Sequence, residues 1–185
     1  MKRFKNTLIL LLLILLPLLL LNCSEKNKEP VPFFDGLYLE YTIGNEVPEI
    51  YNITALGNNK FKIIEKTSWK GVLKDEIDEF FVDSYGKVYK SSFKNWEGSF
   101  SPVWIPIYLM QIGDTFGKGY QVVRREKWQK WNVVVVRCPL PRGLAEAEIY
   151  LESSTGFVVG KFEKMGAMET TKVLVNTNAN IPVAQ

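Results

Sequence analysis

The strongest constraint on this chain is the rhythm of its apolar residues after residue 36. Leu37, Leu39, Tyr41 and Ile43 alternate with Tyr38, Glu40 and Thr42. In 144–152, Ala145, Ala147, Ile149 and Leu151 alternate with Glu146, Glu148, Tyr150 and Glu152. A period of two belongs to a strand with one buried and one wet face. Strand-like stretches also cover 49–56, 60–67, 79–84, 87–91, 120–127, 131–138, 157–163 and 169–177. Short turns separate them, among them Gly57-Asn-Asn59, Asp83-Ser-Tyr-Gly86, Trp128-Gln-Lys130 and Ser153-Ser-Thr-Gly156. Gly and Asn accept the positive φ that tight hairpins need. No stretch after Cys23 repeats apolar residues at helical spacing. The expectation is an all-β fold: a single curved antiparallel meander sheet or half-barrel of about nine strands.

Two stretches depart from the alternation. Val133-Val-Val-Val136 is apolar on both faces, which predicts cover on both sides and a place at the centre of the sheet, with a helix or loop behind it. Residues 100–116 (FSPVWIPIYLMQIGDTF) hold Pro102 and Pro106, so they make a poor central strand, yet they are too apolar for an exposed loop. They are expected to form a short irregular or helical lid across the open face of the sheet.

The N-terminus reads as an export signal. Lys2, Arg3 and Lys5 precede an apolar run from Leu8 to Leu21 that is interrupted by Pro17. As a helix this run reaches about 21 Å, against about 30 Å of bilayer hydrocarbon. Leu20-Leu-Asn-Cys23 ends it, and the polar Ser24-Glu-Lys-Asn-Lys-Glu-Pro30 follows. The pattern resembles the bacterial lipoprotein signal, with Leu20 at the third position before the cysteine. Leu21 and Asn22 depart from the usual small residues; an uncleaved anchor and a plain signal cleaved elsewhere are the alternatives. The resemblance implies a signal peptide at 1–22, palmitate-type acyl chains on Cys23, a lipidated tether at 23–32, a β domain at 33–178 and a loose tail at 179–185. Two or three chains on one cysteine give a stable membrane anchor where a single chain does not. It also implies a lipid-anchored, periplasm-facing protein of the cell envelope, with Ser24 after the cysteine favouring the outer membrane over the inner.

Composition narrows the chemistry. The three signal cations account for the whole formal charge of +3, so the mature part is neutral and lacks the basic surplus of a nucleic-acid binder. Histidine is absent, which removes the usual general base, the commonest metal ligand and any serine or cysteine triad built on it. Ser91-Ser-Phe-Lys94 matches S-x-x-K but follows a strand and lacks partner motifs. Gly113-Asp-Thr-Phe-Gly-Lys-Gly119 is one residue short of a phosphate loop, and the carboxylates of 74–79 lack calcium-loop spacing. No enzyme activity, metal or cofactor is expected. Cys138 ends the valine run and reads as a buried free thiol. The basic, aromatic 124–131 (RREKWQKW) suits either lipid headgroups or an ordinary hairpin whose tryptophans cap the core, and the second reading is preferred.

The chain has 5 Trp, 8 Tyr and 11 Phe. Those around the lid either fill the core or line an apolar pocket. The pocket reading takes Trp96, Trp104, Tyr108, Met110, Val134 and Val136 as ligand-binding residues. The acid-x-x-Gly turn at Asp83–Gly86 and the acid-x-x-x-Gly turn at Glu152–Gly156, with the Pro-rich insert at 101–112, make the domain similar to the half-barrel lipoprotein carriers and receptors (LolA/LolB-like). That resemblance implies a curved sheet around an apolar cavity that accepts a lipid or the acyl chain of a lipoprotein. The leading expectation is therefore a non-catalytic lipid-binding module, in which Trp104→Glu abolishes binding without unfolding the sheet. The alternative is a structural or interaction lipoprotein with a closed core and a protein partner.

Overall fold

The computed structural model describes residues 30–44, 47–67, 76–92, 96–106, 110–139 and 146–183. They form one antiparallel sheet of 11 strands: β1 (Leu37–Ile43), β2 (Val47–Gly57), β3 (Lys60–Thr67), β4 (Glu76–Val82), β5 (Val88–Ser91), β6 (Thr115–Phe116), β7 (Tyr120–Trp128), β8 (Trp131–Arg137), β9 (Glu146–Glu152), β10 (Val158–Met165) and β11 (Met168–Thr177). The spatial order is β5-β4-β3-β2-β1-β11-β10-β9-β8-β7-β6. The chain thus starts mid-sheet, runs out to the β5 edge, crosses to the β6 edge and returns to pair β11 with β1. The sheet is not closed, because β5 and β6 do not pair.

Local chemistry sets this register. Asn58 and Asn59 both take positive φ (52° and 53°), which the two-residue β2–β3 turn requires. Gln129 does the same between β7 and β8. The inward positions of β1, Leu37, Leu39 and Tyr41, are fully buried, and so are Ile53, Ile63, Val82 and Val88 from β2 to β5.

The connection between the two edges closes the concave face. Residues 99–106 form an extended strap without helix. The Ser101 amide donates to the Gly86 carbonyl (2.8 Å) beside β5, and Ile105 N–H donates to Gly156 (3.1 Å) in the β9–β10 turn. Val158 N–H donates to Val103 (2.9 Å), and Trp104 Nε1 donates to Thr155 (2.8 Å). Phe33 meets Phe61 and Trp104 edge-to-face at 5.5 and 6.3 Å, sealing that end of the sheet. Among the described residues the packing begins at Val31, which is buried and donates its N–H to Ser84. At the other terminus, half-buried Ala179 and Ile181 rest on the core.

Val133–Val136 are buried on both faces, as their pattern predicts, but β8 is not central: β7 and the two-residue β6 lie outside it. Neither a helix nor a loop covers its outer face among the described residues. The neighbouring strands supply that cover, since Val135 lies between Arg124 and Tyr150, and Val133 between Glu126 and Glu152. Trp128 stacks flat on Tyr150, with centroids 4.4 Å apart, and its ring lies over Gly160. A Cβ at Gly160 would sit 2.3 Å from Trp128 Cη2 and 2.9 Å from the Lys172 carbonyl. Gly160→Ala is therefore expected to cost about 1–3 kcal/mol through overpacking, read as a lower urea midpoint at unchanged slope. A loss under about 0.5 kcal/mol, the ordinary surface range, would contradict this packing.

Candidate functional site

The strap divides the concave face into two halves. Where it crosses toward the β9–β10 turn, the face is solid core. Trp104 is 3% exposed and Met110 4%, while Val134 and Val136 are fully buried. These four predicted ligand residues fill the core. Trp104→Glu would place a carboxylate between Gly86, Val31 and Phe33, at a cost that unseats the strap, so that substitution cannot report on binding alone. Trp96 is different: it packs edge-to-face on Phe80 (5.4 Å) and lines a cleft. Cys23 and Tyr108 lie outside the described residues.

The cleft occupies the other half of the concave face and has a volume of about 180 Å³. Trp96, Phe100 and Ile105 from the strap side face Ile149 and Val158 across it. Its mouth is formed by Ile43, Glu163 and Thr170, at the ends of β1, β10 and β11 away from the sealed end. Its volume is below the roughly 300–1,000 Å³ of ordinary small-molecule pockets. It suits the end of a ligand, with the remainder outside.

The floor is charged. Lys172 of β11 pairs with Glu49 of β2, and the Tyr51 hydroxyl also donates to Glu49. The Lys172 ammonium lies 4.6 and 4.9 Å from the Tyr41 and Tyr51 ring centres. Ion pair, hydroxyl and two rings together offset the desolvation of a cation that burial drives toward its neutral form. Lys161 pairs with Glu163 at 2.6 Å nearer the rim. Glu65 on β3 faces the same cleft. Burial, then the charges of Glu49 and Asp78, push its carboxyl up to about 7, with Lys172 and a Tyr51 hydrogen bond pulling the other way.

None of Glu49, Glu65 and Lys172 is among the residues expected from the sequence to bind a ligand. Their signal is phase: Glu49 falls in step with Tyr51 and Ile53, Glu65 with Phe61 and Ile63, and Lys172 with Leu174, all on the inward period of their strands. Charged residues on the apolar phase of several paired strands, all toward one end, mark a polar layer in a sheet interior.

The remaining sequence features have structural roles. Arg124 holds Glu148 through two bonds (2.7 and 2.8 Å) and also pairs with Glu126 (2.9 Å), while Trp131 is buried. The 124–131 hairpin therefore packs as an ordinary capped hairpin. Cys138 is half-buried rather than buried, and desolvation raises its thiol to about 11, leaving little thiolate at neutral pH. The glycines of 113–119 shape turns around β6, with positive φ at Gly113, Gly117 and Gly119. Among the described residues no carboxylate or cysteine group is arranged to hold a metal, and no helix is long and apolar enough to cross a membrane.

No protein-family model and no curated protein matches the chain.

Between its ordinary value of 4.5 and about pH 7, the folded state holds a proton on Glu65 that the unfolded chain has already released. Folding stability should therefore fall as pH rises from about 5 to 8. Glu148, held low by Arg124, loses its contribution only in more acid solution. After discounting for partial exposure, the melting temperature should drop by about 3 °C, as expected for roughly 1 kcal/mol in a domain of this size. Glu65→Gln should abolish the slope. A wild-type melting temperature that rises across this window would contradict the raised carboxyl.

Proposed function

We propose that the protein is a lipid-anchored binding module of the cell envelope, whose concave cleft takes one end of a lipid or other amphiphile. The observation that carries this is a half-open cleft in a sheet interior with aromatic and aliphatic walls above a charged floor. An apolar wall beside fixed polar groups is the arrangement that orients a molecule with a tail and a head. The half-barrel with a crossing strap supports kinship with the lipoprotein carriers and receptors. The cleft is smaller and more polar than that kinship implies, which limits the bound portion to a head group and a short stretch of chain.

The anchor is part of the same proposal. The chain enters the fold at the sealed end, where Val31 bonds to Ser84, and the cleft mouth lies at the opposite end of β1. A tether of a few residues from an acylated Cys23 would hold the sealed end toward its membrane and turn the mouth to the periplasm. The outer membrane is the favoured site. Growth with labelled palmitate should label the wild type, and Cys23→Ser should lose the label and leave the membrane fraction. Retained label in the variant would remove Cys23 as the anchor.

The closed core around Trp104 and Val134 favours the second reading, an interaction lipoprotein with a protein partner. The two readings separate on one experiment. Residues 24–185, produced in a bacterial periplasm and purified without detergent, should yield a lipid in near-stoichiometric amount on organic extraction and mass spectrometry. Thr170 is exposed at the mouth. Thr170→Trp should block the cleft and reduce the bound lipid at least tenfold at unchanged melting temperature. A clean extract from folded wild type would favour the partner reading.

A further inference from the structure

Resting on the amphiphile reading of this cleft, we infer that its head-group specificity is for a cation: a primary or quaternary ammonium carried on an apolar stem, seated against Glu65 with the stem along Trp96. Three carboxylates line the cleft, those of Glu49, Glu65 and Glu163, against the two ammonium groups of Lys161 and Lys172. Both lysines are engaged, Lys172 with Glu49 and Lys161 with Glu163. Glu65 shares the field of Lys172 with Glu49 and faces Asp78 across the β3–β4 pair. Among the described residues the cleft is thus one positive charge short.

An arriving anion would have to displace a carboxylate from a lysine in a partly desolvated space. An arriving cation completes the charge balance without breaking a pair. The walls favour the same choice. Tyr51, Trp96, Phe100 and Tyr120 present aromatic rings around the cleft, and an ammonium gains from an aromatic face as well as from a carboxylate. Lys172 shows the principle within the fold, held against Tyr41 and Tyr51 rings and a carboxylate together. A ligand ammonium at Glu65 repeats that arrangement toward the open side.

The groups around Glu65 set how binding depends on pH. Across β2 these are Glu49 and Tyr51, across β4 Asp78, and from β11 Lys172. Tyr41 on β1 adjoins Glu49, and Lys161 and Glu163 on β10 form the far wall. With the Glu65 carboxyl at about 7, it is mostly charged at pH 8 and mostly neutral at pH 5.5. The tyrosines are raised and remain neutral throughout.

The test uses the full chain in nanodiscs of an uncharged glycolipid that carries no ammonium group, with empty nanodiscs as blank and tryptophan fluorescence as the signal. The probes are n-butylammonium and n-butyltrimethylammonium, with butanol and butanoate as charge controls. The ammonium probes should bind at least about tenfold more tightly than either control at pH 8, and about tenfold more weakly at pH 5.5 than at pH 8. Glu65→Gln, which removes a charge from a crowded site and should fold at least as well, is expected to erase both differences. Butanol binding as tightly as the ammonium probes would overturn the cation preference while leaving the amphiphile cleft in place. Tighter binding of butanoate would overturn the preference and reverse its sign. No binding by any probe would overturn the cleft reading as well. Dihexanoyl phosphatidylethanolamine binding above n-butylammonium would assign the cation to a lipid head group, and the reverse order to a soluble amine.

Discussion

Among the described residues, a sheet of eleven strands has two faces to cover and no second layer to cover them with. The strap of residues 99–106 resolves this on the concave side. Backbone bonds to Gly86 at one edge and to Gly156 and Val158 toward the other hold the curl of the sheet, and Trp104 becomes the central plug. On the convex side the wide span from β7 to β10 is covered by its own side chains, with the Trp128–Tyr150 stack lying over the bare backbone of Gly160. Without the strap, the apolar surface that Val103, Trp104 and Ile105 cover would face water, at a cost of about 25 cal/mol for each Å² exposed.

The strap does not reach the whole concave face, and what it leaves open is where function is proposed. The sealed half is built from Leu37, Leu39, Val134 and their neighbours. Toward the mouth, the inward positions of β2, β3 and β11 become Glu49, Tyr51, Glu65 and Lys172. A buried ion pair contributes little net stability compared with an apolar pair of similar size. Charged groups here therefore cost the fold something, and a ligand-facing role accounts for them better than stability does.

Much of the fold was legible in the sequence because alternation and turn chemistry are local. The span of β1, the span of β3 and the Asn58–Asn59 turn follow from residues that are neighbours in the chain. The lid was legible too, since prolines and apolar residues together leave few other options. The two-residue β6 escaped notice because so short a pairing has no period to read. The place of β8 escaped because the tryptophan cover over it comes from a hairpin neighbour and from Tyr150, a contact that only the sheet order creates. The cleft was hidden for the same reason. Glu49, Glu65 and Lys172 lie on three strands far apart in sequence, and each alone looks like one more surface charge. The aromatic residues are the more conspicuous signal in the sequence, and of these Trp96 faces the cleft while Trp104 belongs to the core.

The most direct test of this division of the concave face is to locate a bound ligand. Crystals of the domain soaked with a bromine-labelled alkylammonium would place the label by anomalous scattering. A bromine peak is expected in the cleft between Trp96 and Ile149, with the strap bonds to Gly86 and Gly156 intact. A peak beneath Trp104 with the strap displaced, or on the convex face alone, would contradict this division.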